Sequence, residues 1–349
     1  MTPVGTNLDG LPIREGDVGL QQESSGFDLI GDVHGCANTL VRLLKKLGYR
    51  QCDGVFRHPQ RKAIFLGDIV DRGPRIREAL HIVKNMVDAG EARMVMGNHE
   101  YNAICYCTHT DKGPGKQPLR EHNARHERMI RETLAQFALY QHEWETFLQW
   151  FMTLPLYIEE THFRVVHACW DDALIRRFAE RCPNGVMDHE FLLRSVTPGS
   201  FEFDVAERLM RGTDLRLPDG RFISSRDGVH RRFFRTSYWL DNPQTYGEVL
   251  FQPDPLPEDI AVMPISSHDR ARLLYYGAEH PPLFIGHYWR EGHPAPLTNN
   301  IACLDYSAVK YGKLVAYRMD TEHRIHPGKF VWVDVKPNDT ELQEVPISL

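Results

Sequence analysis

FDLIGDVHG at residues 27–35, AIFLGDIVDRGP at 63–74 and RMVMGNHE at 93–100 share one construction: a short apolar run meets a Gly-containing cluster carrying Asp, His, Asn or Arg. Such runs read as buried strands that finish in loops. FRVVHACW at 163–170 and PLFIGHYW at 282–289 repeat the pattern further along. Helical periodicity follows the first two. Leu40, Leu43, Leu44 and Leu47 recur at helical spacing over 39–47, and Leu80, Val83, Met86 and Val87 do so over 77–87. Strand, helix, strand is the alternation of an α/β protein.

Outward from these runs, the chain divides by composition. Residues 1–25 are polar without sustained periodicity and are expected to form a flexible leader. The folded body is expected over 26–336, with 337–349 a polar tail. A Gly/Pro-rich loop over 112–116 should precede a helical insertion at about 115–150. An Arg-rich insertion at about 202–240 carries DG turn signals between strand-like flanks, which predicts hairpins. Pro253, Pro255, Pro257 and Pro264 then mark an irregular connection, and ACLDYS, KLVAYRM and 331–335 are the last expected strands.

At 349 residues, 42% hydrophobic and 25% charged, the chain can bury a sizeable core. A net charge of -6 argues against general nucleic-acid binding and against anionic membranes. No run of about 18 apolar residues is present, so no membrane span is expected. The 7 cysteines are odd in number and scattered, a pattern of reduced thiols in a cytoplasmic protein. Cys105, Cys107 and His109 lack the second ligand pair that a zinc site would need.

The clusters at the strand ends carry the chemistry. Asp32 and His34 lie two residues apart, and an extended backbone would aim both to one side as half of a metal site. Asp68 could bridge two cations through its two oxygens. Asn98 offers a carbonyl oxygen, and His167 and His287 offer imidazole nitrogens. Ligands from the ends of several strands can converge although distant in sequence. Mixed oxygen and nitrogen donors suit manganese, iron or zinc, and magnesium less well.

GDVHG, GDIVDRGP and GNHE, followed by VHA and GH, resemble the core motifs of the metallophosphoesterase superfamily. Within it they are similar to the phosphoprotein phosphatase branch, which includes serine/threonine phosphatases and symmetrical diadenosine tetraphosphate hydrolases. The resemblance implies a sandwich of two β-sheets flanked by helices and two divalent metal ions, manganese first among them. Asp32 and His34 would bind the first ion, Asp68 would bridge, and Asn98, His167 and His287 would bind the second. His99 would protonate the leaving group with Asp71 orienting it, Arg72 would grip the phosphate, and Arg211 is the candidate for a second phosphate-binding arginine. The implied reaction is hydrolysis of phosphomonoesters, in the manner of protein phosphatases, by a metal-activated water. Its substrate would be a phosphorylated protein or a small phosphorylated molecule. Hydrolysis of nucleotide anhydrides such as diadenosine tetraphosphate is the alternative, and a catalytically silent metal-binding scaffold a third reading.

Two departures from the pattern stand out. The fourth motif is His167-Ala168-Cys169 where protein phosphatases usually carry HGG. Trp289 occupies the slot that a second histidine fills in the GHxH of phosphodiesterases and nucleases, which favours the phosphatase branch. The Arg-rich insertion reads either as a solvated face or as a rim for a polyanionic substrate, and Tyr238 and Trp239 as core residues or as a stacking surface for a base.

Overall fold

In the computed structural model, which describes residues 26–110, 117–224, 230–251 and 256–336, the apolar runs become strands whose alternate residues face different cores. Leu29 packs into one cluster and Ile30 into another, and Ile64 parts from Ala63 and Phe65 in the same way. A side-chain period of two explains this, and it explains why the runs are apolar throughout: both faces of the sheet are covered. Each fully buried Leu, Ile or Phe contributes roughly 1.5–3 kcal/mol relative to exposure.

The larger sheet runs Asp305–Tyr306, Lys313–Met319, Gly26–Ile30, Arg61–Phe65, Ala92–Met94, with Phe330–Asp334 pairing Lys313–Met319 as well. Gly26–Ile30 is parallel to Arg61–Phe65, which is parallel to Ala92–Met94. A second sheet runs Ile301–Cys303, Leu283–Ile285, Arg164–Val166, Tyr157–Glu159. Leu29, Ile64 and Val95 of the first sheet share a buried cluster with Val165, Phe284 and Ala302 of the second, so the two pack face to face as an α/β sandwich. Ala37–Leu47 and Ile76–Asp88 are the helices that the leucine spacing predicts, and both pack on the other face of the first sheet's core.

The expected helical insertion holds two helices, Ala124–Gln136 and Gln141–Phe151. Asn123 caps the first by accepting from the His126 N–H. The hairpin expectation needs correction at its start. Residues 202–211 belong to the helix Phe201–Arg211, capped by Ser200, whose Val205, Ala206, Leu209 and Met210 join the main core at helical spacing. Hairpins follow: Asp214–Arg216 pairs Phe233–Arg235, and Ile223–Ser224 pairs His230–Arg231. They share a small core of their own with Tyr246, Val249, Ile260 and Ile265, so the unit runs past 240; one short helix, Glu258–Ala261, lies within the stretch read as irregular, and Tyr246–Val249 and Ser267–Arg270 flank it. The expected leader and tail, the loop at 112–116, and Pro253 and Pro255 lie outside the described residues, apart from their edges. Among the described residues no helix is long and apolar enough to cross a membrane.

Candidate active site

The parallel register sets Ile30 beside Phe65 and Phe65 beside Met94, so the loops after these strands leave the same sheet edge together. They do not leave extended. His34, Asp68, Asp71, Arg72 and His287 all have positive φ, at 43°, 55°, 68°, 69° and 58°. Left-handed backbone is costly for residues with a Cβ and persists only where its surroundings enforce it. The expectation of an extended Asp32-Val33-His34 is therefore corrected: a turn at His34 and Gly35 delivers the imidazole.

Glu100 enforces part of this backbone. Its buried carboxylate accepts from the N–H groups of Asp68 (2.8 Å) and Gly97 (3.0 Å) through one oxygen, and of Ile69 (2.7 Å) and Val70 (3.3 Å) through the other. The reading of GNHE assigned it no role, because the partners of a carboxylate that serves only backbone are invisible in sequence. Two glycines permit close approach. A Cβ on Gly97 would lie 2.2 Å from Asp68 Oδ1, and one on Gly286 would lie 2.1 Å from Asp32 Oδ1.

The six candidate ligands come together, all buried. Asp68 Oδ2 is the hub, with the Nε2 atoms of His167, His34 and His99 at 3.4, 3.7 and 3.9 Å. Asn98 Oδ1 lies 3.2 Å from His167 Nε2 and 2.6 Å from His287 Nδ1. Asp32 Oδ2 accepts from the His287 N–H at 3.2 Å. His34 Nδ1 donates to the Val70 carbonyl at 2.8 Å and His167 Nδ1 to the Leu66 carbonyl at 2.6 Å. These bonds place a proton on each Nδ1 and make Nε2 the atom of each ring that can ligate.

Two observations test whether this set fits metal ions. Asp32 Oδ1 and His287 Nε2 are buried without a hydrogen-bond partner, an expensive condition unless a cation takes them. The charges are also unbalanced. Burial above all, then Asp305, pushes the Asp32 carboxyl well up. Burial acts in the same direction on Asp68, but His167, His99 and His34 outweigh it and hold that carboxyl well below its usual range. Burial would lower His167, yet Asp68 and Asp32 bring it up to about 10. A buried site that draws protons in this way is one in which cations can replace them. The donor geometry allows one group from His34, Asp68 and His99 and another from Asp68, His167 and His287, with Asp68 shared. Cys105 and Cys107 enter no such group among the described residues, and burial pushes the Cys105 thiol up to about 11.

His99 is held from both sides. Its Nδ1 donates to Asp71 Oδ2 at 2.6 Å, and Arg72 Nη2 donates to its Nε2 at 2.9 Å. Arg72 Nη1 also donates to His34 Nε2 at 3.2 Å, so one guanidinium spans the two imidazoles. Arg211 stands further off. It donates at 2.6 Å to Oδ1 of Asn102, which is one helical turn past Asn98, and pairs with Glu207 on its own helix. Arg120 reaches the same Asn102 oxygen at 2.7 Å. Arg235 donates to the His287 carbonyl at 3.4 Å and so touches a candidate ligand residue directly. Arg235 lies in the Arg-rich insertion, where the sequence singles out only Arg211. Asp305 and Thr133 were missed too. Tyr238 and Trp239 are buried edge to face with Tyr288, which makes them core residues.

The family model for calcineurin-like phosphoesterases matches residues 27–211. The asymmetrical bis(5′-nucleosyl)-tetraphosphatase PrpE of Halalkalibacterium halodurans is 46% identical over 74 residues, 21% of this chain and 30% of that protein. The aligned stretch thus spans under a third of that relative. Among solved structures, the cold-active protein-tyrosine phosphatase of a psychrophilic Shewanella species aligns with a TM-score of 0.47 at 15% identity, over 90% of this chain and 81% of that one. A protein serine/threonine phosphatase from Saccharomyces cerevisiae aligns at 0.46 and 14%, with the same coverage. With its five motifs gathered at one edge of the sandwich, and more than half of its length matched, this chain belongs to the calcineurin-like phosphoesterase family.

Proposed function

We propose that the chain is a hydrolase of phosphoric esters that works with two divalent cations, manganese first, and acts in the cytoplasm. Asp32 and His34 would hold one cation, Asn98, His167 and His287 the other, and Asp68 both. The observation that carries this reading is the convergence of three imidazoles on Asp68 Oδ2 beside two unpartnered buried ligand atoms. Cations bound there would neutralise phosphoryl charge and lower the pKa of a water between them.

The chain's own groups supply the rest. Arg72 presents a planar fork to two phosphoryl oxygens. A guanidinium only donates, so while Arg72 rests on His99 it occupies the Nε2 lone pair, and the Nδ1 proton points toward Asp71. A substrate phosphoryl group that draws Arg72 away frees Nε2 to take a proton from solvent. His99 then donates that proton to the departing oxygen, and Asp71 stabilises the imidazolium. Phosphomonoesters are the leading substrate class. Nucleotide anhydrides are a second reading, supported by the tetraphosphatase relative and by the additional arginines at the site.

The test compares Asp68→Asn with His99→Ala. Asp68→Asn should lose metal and activity toward every substrate. His99→Ala should keep its metals and lose roughly 10²- to 10⁴-fold on an alkyl phosphate, which expels a basic alkoxide, but far less on a nitrophenyl phosphate. Loss of metal from His99→Ala, or equal slowing of both substrates, would remove His99 from the role of acid.

A further inference from the structure

Arg72, which binds His34 and His99, also lines a cavity of about 370 Å³. Pro74, Ala135, Ala308, Val309 and Tyr311 line it with apolar surface, and Glu132 stands in its wall. Arg72 belongs both to this lining and to the pair of imidazoles at the site, so the cavity continues the phosphoryl site. The helix Ala124–Gln136 builds one wall. Thr133 turns inward to Asp71 and Gln136 binds the Gly73 carbonyl, while Glu132 and Ala135, three residues apart, share the face toward the cavity. Tyr311 is 60% exposed, and among the described residues its ring packs against no other aromatic ring. Among the same residues the Glu132 carboxylate has no hydrogen bond or ion pair.

We infer that this cavity receives the nucleoside of a nucleotide substrate whose phosphoryl group lies on Arg72, a step that rests on the hydrolase reading above. The chemistry of the lining selects the occupant. Its mouth at Arg72 asks for an anion. The Glu132 carboxylate in its wall accepts hydrogen bonds from hydroxyl or amino donors, as acidic side chains do for ribose in dinucleotide sites. The surface between is apolar, with an exposed ring for stacking, and the volume lies in the range of small-molecule pockets. An anion joined to a flat group with neutral donors describes a nucleoside phosphate better than a phosphoserine peptide, which brings no flat group.

The experiment compares diadenosine tetraphosphate with inorganic tripolyphosphate, which offers the same anhydride without a nucleoside, in the manganese-loaded full chain. Ala135→Trp fills the cavity from an exposed helix position, and Tyr311→Ala removes the exposed ring. Each should raise KM for the dinucleotide roughly 5- to 100-fold, the range of losing one base contact, and leave tripolyphosphate within about twofold. Adenosine titrated onto the chelated chain, followed by NMR of the tyrosine rings, gives a second readout, and both variants should weaken its binding. Equal losses on the two substrates, or adenosine binding that neither variant changes, would overturn the inference. So would a loss on a phosphotyrosine peptide as large as that on the dinucleotide. If no phosphoester or anhydride turns over at all, the hydrolase reading fails, and the adenosine titration still decides the cavity.

Discussion

Thr133 Oγ1 donates to Asp71 Oδ1 at 2.5 Å and accepts from the Asp71 N–H at 3.1 Å, which pins the carboxylate whose other oxygen holds His99. A residue of the helical insertion thereby orients the proposed acid without touching substrate. Thr133→Val keeps the shape and removes the bonds. It should lower kcat on an alkyl phosphate about 10-fold, a fraction of the full general-acid contribution, and hardly change the rate on a nitrophenyl phosphate. Metal content should stay at the wild-type level, and Thr133→Ser should recover the rate. A uniform loss on both substrates would mean that Thr133 merely supports the fold.

Glu100 offers two oxygens to four backbone N–H groups. Glu100→Gln turns one of those oxygens into a donor that faces donors, so bonds are lost in a fully buried place. The cost should be about 1–3 kcal/mol in urea unfolding. Because the same bonds hold Asp68, metal affinity should fall roughly 10- to 100-fold. Calorimetry of manganese binding, beside the unfolding curve, checks both.

Cation binding should release protons. Folded without cations, His167 titrates near 10 and so carries its proton at neutral pH, and Asp32 is pushed well up. Ligation needs the His167 imidazole deprotonated, so about one proton should leave per chain near pH 7. Titration calorimetry in buffers of different ionisation enthalpy measures it. The sign for stability follows. In the chelated chain the raised His167 stabilises fully below its unfolded value of 6.5, and that contribution is lost as pH rises to about 10. Tm of the chelated chain should therefore fall between these limits, whereas His167→Asn should flatten the decline. A Tm that rises through this window would contradict the assignment.

Arg235 and the pair Arg231 and Arg232 should behave differently. Arg235 is drawn in beside His287, where burial lowers its pKa, while Arg231 and Arg232 are exposed. Arg235→Gln should raise KM for small and extended phosphates alike by about 10-fold, the loss of one charge-assisted hydrogen bond. Replacing Arg231 and Arg232 with Ala should affect only extended anions and reduce the salt dependence of KM. Kinetics on a nitrophenyl phosphate and a dinucleoside polyphosphate at two ionic strengths separate the cases.

By itself the sequence determined the strands and the set of candidate ligands. Apolar runs such as AIFL and PLFI can only be buried, and polar groups at their ends must then emerge at a sheet edge, so Asp32, Asp68, Asn98, His167 and His287 were legible as one group. Tertiary structure decided how they are held. Only the Gly97 N–H among the four partners of Glu100 is local; the other three lie about thirty residues upstream and meet it only when the strands pair. Thr133 reaches Asp71 only because the helix Ala124–Gln136 docks across the loop 71–74. The sharp turns at His34, Asp68 and His287 break the extended path that strand periodicity implies, and they stand because packing and hydrogen bonds from distant segments outweigh the local cost of left-handed backbone. Residues 202–211 show the same limit. Their helical spacing was present in the sequence, but the DG turns beyond them suggested hairpins, and only docking of Val205, Leu209 and Met210 into the main core gives that spacing its meaning.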